Sequence, residues 1–195
     1  MSKDAVTLTL ILERPSLETL ASYVAALEAG WSPDKVRGRV AADEHLAQVA
    51  ANPADFIAGR DDPEGLGPPM RGRDGSLIPR LPGFTRWIWD GDFCGAIGFR
   101  WRAGTAELPP HVLGHIGYAV VPWKQGRGYA TRALALMLVE AWDLGLPHVD
   151  LTTNPANLAS QKVITANGGA LLGPFVKPAS MGGGEGLRFR IPRPT

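Results

Sequence analysis

Between residues 115 and 144 a run of β-formers, a turn with two glycines and a long apolar helix follow one another, and few folds accommodate that order. H-I-G-Y-A-V-V, residues 115–121, reads as a strand closed by Pro122. Downstream, Ala130, Ala133, Leu134, Met137, Leu138 and Ala141 recur at helical spacing, and Leu136, Val139 and Trp142 make the same helix apolar on much of its circumference. Such a helix has to be buried against a sheet. Gly145 and Pro147 end it, and residues 148–153 form another short strand. The turn, W-K-Q-G-R-G-Y-A, presents unpaired backbone N–H groups at a helix N-terminus, where the macrodipole favours an anion. Gly126 and Gly128 lack Cβ atoms, so a phosphate can approach the main chain, and Lys124 and Arg127 add positive charge. Two glycines also suffice for a plain strand-to-helix turn, so the segment alone leaves both readings open.

The remaining segments read as alternating strands and helices. Residues 5–12 form a strand; Ser16 is the expected N-cap of a helix whose Leu17, Leu20, Val24 and Leu27 share a stripe and which Gly30 ends. A weaker helix covers about residues 43–51. Residues 84–89 and 93–102 are two strands joined through Asp90, Gly91 and Asp92, a hairpin signal. Asn154 or Asn157 caps a helix carrying Ala159, Val163 and Ala166, which Asn167, Gly168 and Gly169 stop. Near the end, one short strand covers residues 187–191. There is no internal repeat or separate linker, and 195 residues suit a single domain. The 24 glycines and 17 prolines exceed a background of about 12%. They concentrate in residues 59–83, with six Gly and five Pro, which reads as one long loop, and in residues 173–194.

Charge and cysteine content remove several function classes. Twenty basic against nineteen acidic residues leave a net charge of +1, too little for non-specific nucleic-acid binding. Cys94 is the single cysteine and forms no internal disulfide, and His45, His111, His115 and His148 show no i, i+4 pair on a helix, so no protein-bound metal is expected. No stretch approaches 18 consecutive apolar residues, and the start lacks a signal-peptide pattern. The expectation is a cytoplasmic protein with no membrane partner.

Val121-Pro122-x-x-Gln125-x-x-Gly128-x-Ala130, between an apolar strand and a long buried helix, resembles the acetyl-CoA motif of the GNAT superfamily of N-acetyltransferases. Asn157-Leu158-Ala159-Ser160, followed by a helix ending at Asn167, Gly168 and Gly169, is similar to the family's next motif. His115-Ile116-Gly117-Tyr118 is similar to the branch with ribosomal-protein and peptide N-terminal acetyltransferases. The matching motifs span about residues 93–172. A dinucleotide site is the competing reading, with Asp150 as ribose ligand, but Thr131 stands where the third glycine should be and three residues separate strand from glycines.

The resemblance implies an α/β (α+β) fold: one GNAT-type domain over residues 1–195, with a mixed, mainly antiparallel sheet of six or seven strands flanked by helices. It implies acetyl-CoA as acyl donor and a primary amine of a small molecule or peptide as acceptor, attacked directly; a homodimer is compatible with it. Pantetheine would bond to the main chain of Tyr118, Ala119 and Val120 like an added strand. The diphosphate would sit on the amides of Gln125, Gly126, Arg127, Gly128, Tyr129 and Ala130, and Asn157 and Ser160 would contact the cofactor. An N–H near Val120 would steady the oxyanion. The sequence departs from the family at Ile164, where many members carry a tyrosine general acid. Ser160 is then a candidate acid, or else a small packing residue; His115 is the candidate base, or else a hydrogen-bonded histidine on a half-buried strand. Glu107 and Glu185 are alternatives on loops. Without the tyrosine, a CoA-binding module lacking transferase activity is the second functional reading. Cys94 reads as a small core residue, and Trp87, Trp89 and Trp101 as core or dimer interface. In the family's layout, loops at residues 59–83 and 173–194 border the acceptor cleft, so substrate choice would reside there.

Overall fold

Alternation of apolar residues along residues 93–99 has to bury two faces at once, and the structure does so with helices on both sides of a sheet. It is a computed structural model, describing residues 9–35, 37–71 and 75–195. In chain order the elements are β1 (Ile11–Glu13), α1 (Leu20–Glu28), α2 (Arg39–Ala51), α3 (Pro53–Ala58), β2 (Asp61–Asp62), β3 (Met70–Arg71), β4 (Leu77–Ile78), β5 (Gly83–Trp89), β6 (Phe93–Arg100) and β7 (Ile116–Val120). Then come α4 (Tyr129–Asp143), β8 (His148–Thr153), α5 (Leu158–Ala166), β9 (Ala170–Val176) and β10 (Glu185–Pro192).

One sheet runs β1-β5-β6-β7, with β2 beside β5; a second runs β8-β10-β9; β3 and β4 pair alone. All registered pairings are antiparallel. The expected mixed sheet is thus two antiparallel ones, because the crossover through α4 leaves β7 and β8 without a ladder. On one face of the sheets, Ile97, Phe99, Ile116 and Val120 pack with Leu134, Met137 and Leu138 of α4 and with Val149, Leu151, Phe189 and Ile191 of the second sheet. On the other, Trp87, Phe93, Ala119 and Val121 pack with Leu20, Tyr23, Leu27, Trp31 and Phe56. Trp87 stacks on Tyr23 with ring centroids 4.9 Å apart, and Trp101 stacks on Phe99 at 5.4 Å, so these tryptophans serve the core.

Several boundaries differ from the sequence expectation. Most of the strand expected at residues 5–12 lies outside the described residues. Ser16 closes a turn onto Thr19, and α1 begins after it. Helix α2 starts four residues earlier than expected, and α3 was not anticipated: Asn52 caps it by accepting from the Asp55 N–H at 3.2 Å, with Pro53 at the first position. Strand β9 carries Gly173 and Pro174 and is largely exposed, so it shows neither alternation nor β-propensity; it is an edge strand, where proline loses no ladder bond.

Candidate active site

Strands β7 and β8 meet at one point. The His115 N–H donates to the Asp150 carbonyl at 2.7 Å, and the Asp150 N–H donates to His115 Nδ1 at 2.9 Å. Beyond it no ladder joins the two strands, and they enclose a cavity of about 780 Å³ between β7, β8, the glycine turn and the start of α5. The pairing of β7 with β6 decides which main-chain groups face this opening. Bonds from the Arg100 N–H to the His115 carbonyl and from the Val121 N–H to the Cys94 carbonyl fix the phase. Gly117 and Ala119 therefore bond to β6, while Tyr118 and Val120 turn their main-chain groups to the split. The Val120 carbonyl is taken by the Gln125 side chain at 3.0 Å, which ties the glycine turn to the strand.

At the turn, Gly126 and Gly128 adopt φ of +73° and +80°, and an added Cβ on either would meet no atom within 4 Å. Left-handed backbone with open space before it is what close approach of a ligand to the first turn of α4 requires. Of the sequence-predicted residues, Tyr118, Val120, Gln125, Gly126, Gly128, Tyr129, Ala130, Asn157 and Ser160 line the cavity. Ala119 is instead buried in the core beneath α1, and Arg127 is exposed and outside the lining. Asn157 rather than Asn154 caps α5, accepting from the Ser160 N–H at 3.1 Å. Lys35, Lys124, Lys162 and Lys177 also border the cavity, and no carboxylate does among the described residues. That balance favours a polyanionic ligand.

Lys124 is already paired. Its Nζ donates to both carboxylate oxygens of Asp90, at 2.6 and 2.8 Å, and to Cys94 Sγ at 3.3 Å, while the Tyr129 hydroxyl donates to Asp90 Oδ2 at 2.5 Å. Burial pushes the Asp90 carboxyl up, but these hydrogen bonds together outweigh it and hold the group at about 2. Burial likewise pushes the Cys94 thiol up to about 12, which keeps it protonated and unreactive. Sequence reasoning had no signal for this anchor, because Asp90 looks like an ordinary turn residue.

His115 is fully buried and absent from the cavity lining. Its Nδ1 accepts from Asp150, so the neutral ring carries its proton on Nε2, and burial pushes it down to about 4 against the pull of Asp150. The linkage has a defined sign. Unfolded chains take up the proton below about pH 6.5 and the native state does not until about 4, so stability should fall by about 3 kcal/mol as pH drops between those values. Urea unfolding at pH 7 and pH 4.5 measures this, and a His115→Asn variant should lose most of the difference. Asp150 holds Arg190 in a bidentate pair at 2.7 and 2.9 Å, a structural bond between β8 and β10 rather than a ribose ligand. Glu107 and Glu185 are exposed and outside the lining.

Ser160 does reach the cavity, and with a partner the sequence did not reveal. The Tyr118 hydroxyl lies 2.8 Å from Ser160 Oγ, bridging β7 to the first turn of α5. Burial raises the phenol's pKa, and the hydrogen bond to Ser160 lowers it only in part, so both hydroxyls stay protonated at neutral pH. Ile164, in the position of the missing tyrosine, is buried in the core.

Residues 39–170 match the family model of the GNAT acetyltransferase domain, more than half of the chain. The chain belongs to the GNAT acetyltransferase family. Among solved structures, this GNAT chain is similar to the microcin C7 self-immunity acetyltransferase MccE in complex with acetyl-CoA and AMP, at 12% identity and TM-score 0.60, with 98% of each chain covered. It is similar to the ribosomal L7/L12 α-N-protein acetyltransferase RimL in complex with coenzyme A, at 15% identity and TM-score 0.59, with 94% of each covered. It is also similar to Mycobacterium smegmatis RimJ in complex with a CoA disulfide, at 20% identity and TM-score 0.58, covering 94% of this chain and 81% of that one. Likeness at these identities establishes the fold. No curated protein sequence matches the chain.

Proposed function

We propose that this GNAT chain transfers the acetyl group of acetyl-CoA to a primary amine of a small molecule or peptide by direct attack. The observation that carries the reading is the split beside Tyr118 and Val120, opening in one cavity onto the glycine turn at the start of α4. The free amides of that turn hold the diphosphate, and the lysines at the rim add charge. The main-chain groups of Tyr118 and the Val120 N–H extend the sheet through pantetheine, and the Val120 N–H stabilises charge developing on the thioester oxygen. The amine nitrogen bonds to the acetyl carbon, the carbon–sulfur bond breaks, and Ser160 with Tyr118 behind it delivers a proton to the departing thiolate, whose free pKa is about 8.5. With no carboxylate or exposed imidazole at the cavity among the described residues, the acceptor reacts as the free amine and loses its proton to water. His115 positions the β7–β8 junction from inside the core.

Isothermal titration with acetyl-CoA should give saturable binding; none at about millimolar ligand would end the reading. Thiol release across amines, peptide N-termini and polyamines then separates an enzyme from a CoA-binding module, since the module binds without turnover. Ser160→Ala should lower kcat by about 100-fold and Tyr118→Phe by about tenfold, both with acetyl-CoA affinity retained. An unchanged kcat in both would remove the hydroxyl pair from the reaction.

A further inference from the structure

Residues 59–62, Met70 and residues 79–85 border a second recess of about 170 Å³ together with the end of β6 and Val112. Three arginines border it: Arg60 and Arg80 from the loop and Arg100 from the end of β6. Among the described residues the only carboxylate in its lining is Asp62, whose oxygens already accept from the Leu66 and Gly67 N–H groups at 2.9 Å each, with Arg80 Nη1 3.7 Å away. Arg60 lies over the Phe56 ring, 4.4 Å from its centroid, and the Nε atoms of both Arg60 and Arg80 are buried without a hydrogen-bond partner. Among the described residues, no carboxylate is within ion-pair reach of Arg60 or Arg100. Arg60 and Arg100 are thus half-buried cations with no carboxylate partner among the described residues, whereas Arg80 is held by Asp62 and the Gly59 carbonyl, and an anion that enters the recess pairs with the first two.

Position ties the recess to the reaction. Gly98 and Gly117 face each other across β6 and β7, and a Cβ on either would lie 4.0 or 3.6 Å from Arg100 Nη2. Gly117 also borders the large cavity, one residue before Tyr118. The Arg100 guanidinium thus covers a patch of bare backbone between recess and cavity. At about 30 Å³ per water, the recess holds the equivalent of about six waters, enough for an oxyanion and its first carbons but not for a nucleotide.

We infer that the acceptor amine carries an oxyanion, a carboxylate or a phosphate, a few bonds from its nitrogen, and that Arg100, supported by Arg60 and Arg80, binds that group. The inference rests on the acetyl-transfer reading for its meaning, and its test is separable from it. Inorganic phosphate and acetate are titrated into the wild-type chain while the arginine Nε–H resonances are followed, with Arg100→Ala, Arg100→Lys and Arg60→Gln alongside. Saturable shifts in the wild type that Arg100→Ala abolishes are expected; the absence of saturable shifts would overturn the inference whether or not acetyl-CoA binds. Arg60→Gln lies outside β6 and repeats the comparison should Arg100→Ala fail to fold. In the same preparations, amines of matched length ending in carboxylate, phosphate or carboxamide are acetylated. The anionic amines should exceed the carboxamide by at least about tenfold in kcat/KM, with the advantage lost in Arg100→Ala and partly kept in Arg100→Lys. The better of carboxylate and phosphate identifies the group. Equal turnover of the carboxamide would refute the recess while leaving acetyl transfer intact, and failure of acetyl-CoA to bind would do the reverse.

Discussion

Gly95→Ala should destabilise the protein by about 3–5 kcal/mol, more than most single substitutions. Gly95 sits opposite Val120 in the β6–β7 register, beside the irregularity where β5 shifts between Ile88 and Trp89. Its φ is +145°, and an added Cβ would lie 2.2 Å from the Ala119 carbonyl oxygen and 2.8 Å from the Val120 Cα. Backbone cannot rotate away as a side chain can, so β7 itself would have to move. Because Val120 borders the split, acetyl-CoA affinity should fall together with stability. Urea denaturation checks the first effect and calorimetric titration the second; a midpoint within about 1 kcal/mol of wild type would show that β6 tolerates separation from β7 at this point.

Asp90→Ala is expected to cost about 3–5 kcal/mol, because it leaves the Lys124 ammonium and the Tyr129 hydroxyl without their acceptor in a site where Asp90 is only 5% exposed at its side chain. The effect has a pH signature. With a native pKa of about 2 against an ordinary 3.8, the carboxylate contributes its stability above about pH 4 and loses it as pH falls through 2. The loss amounts to about 2 kcal/mol, and Asp90→Asn should lack it. Acid unfolding of the two proteins decides the point, and the window lies below the one assigned to His115, so the two contributions are read separately.

The elements with strong local patterns were legible. Strand β8 has the bounds expected of it, and the buried stripe of α4 is the one its spacing announced, because both depend on neighbours within a few residues. Strand β9 was not legible, since an exposed edge strand with Gly173 and Pro174 has little to bury. At the site, Gly126, Gly128 and Asn157 could be placed because turns and caps are local chemistry. Tyr118 could be placed only through its main chain: its hydroxyl meets Ser160 from 42 residues away. Asp90, Lys124 and Tyr129 join over comparable separations, which no spacing rule anticipates.

The glycine- and proline-rich stretch at residues 59–83 shows the division most plainly. The sequence determined that its described residues form a loop, since two-residue strands are all that so many glycines and prolines permit there. It also determined the strand, glycine turn and buried helix that carry the family's cofactor motif, through periodicity and backbone freedom alone. The tertiary structure decided that Arg60, Arg80 and Arg100 face one recess, that His115 lies inside the core, and that β7 and β8 part beside Tyr118. Those outcomes depend on burial and on contacts between distant segments, and a side chain's environment exists only once the chain has closed around it.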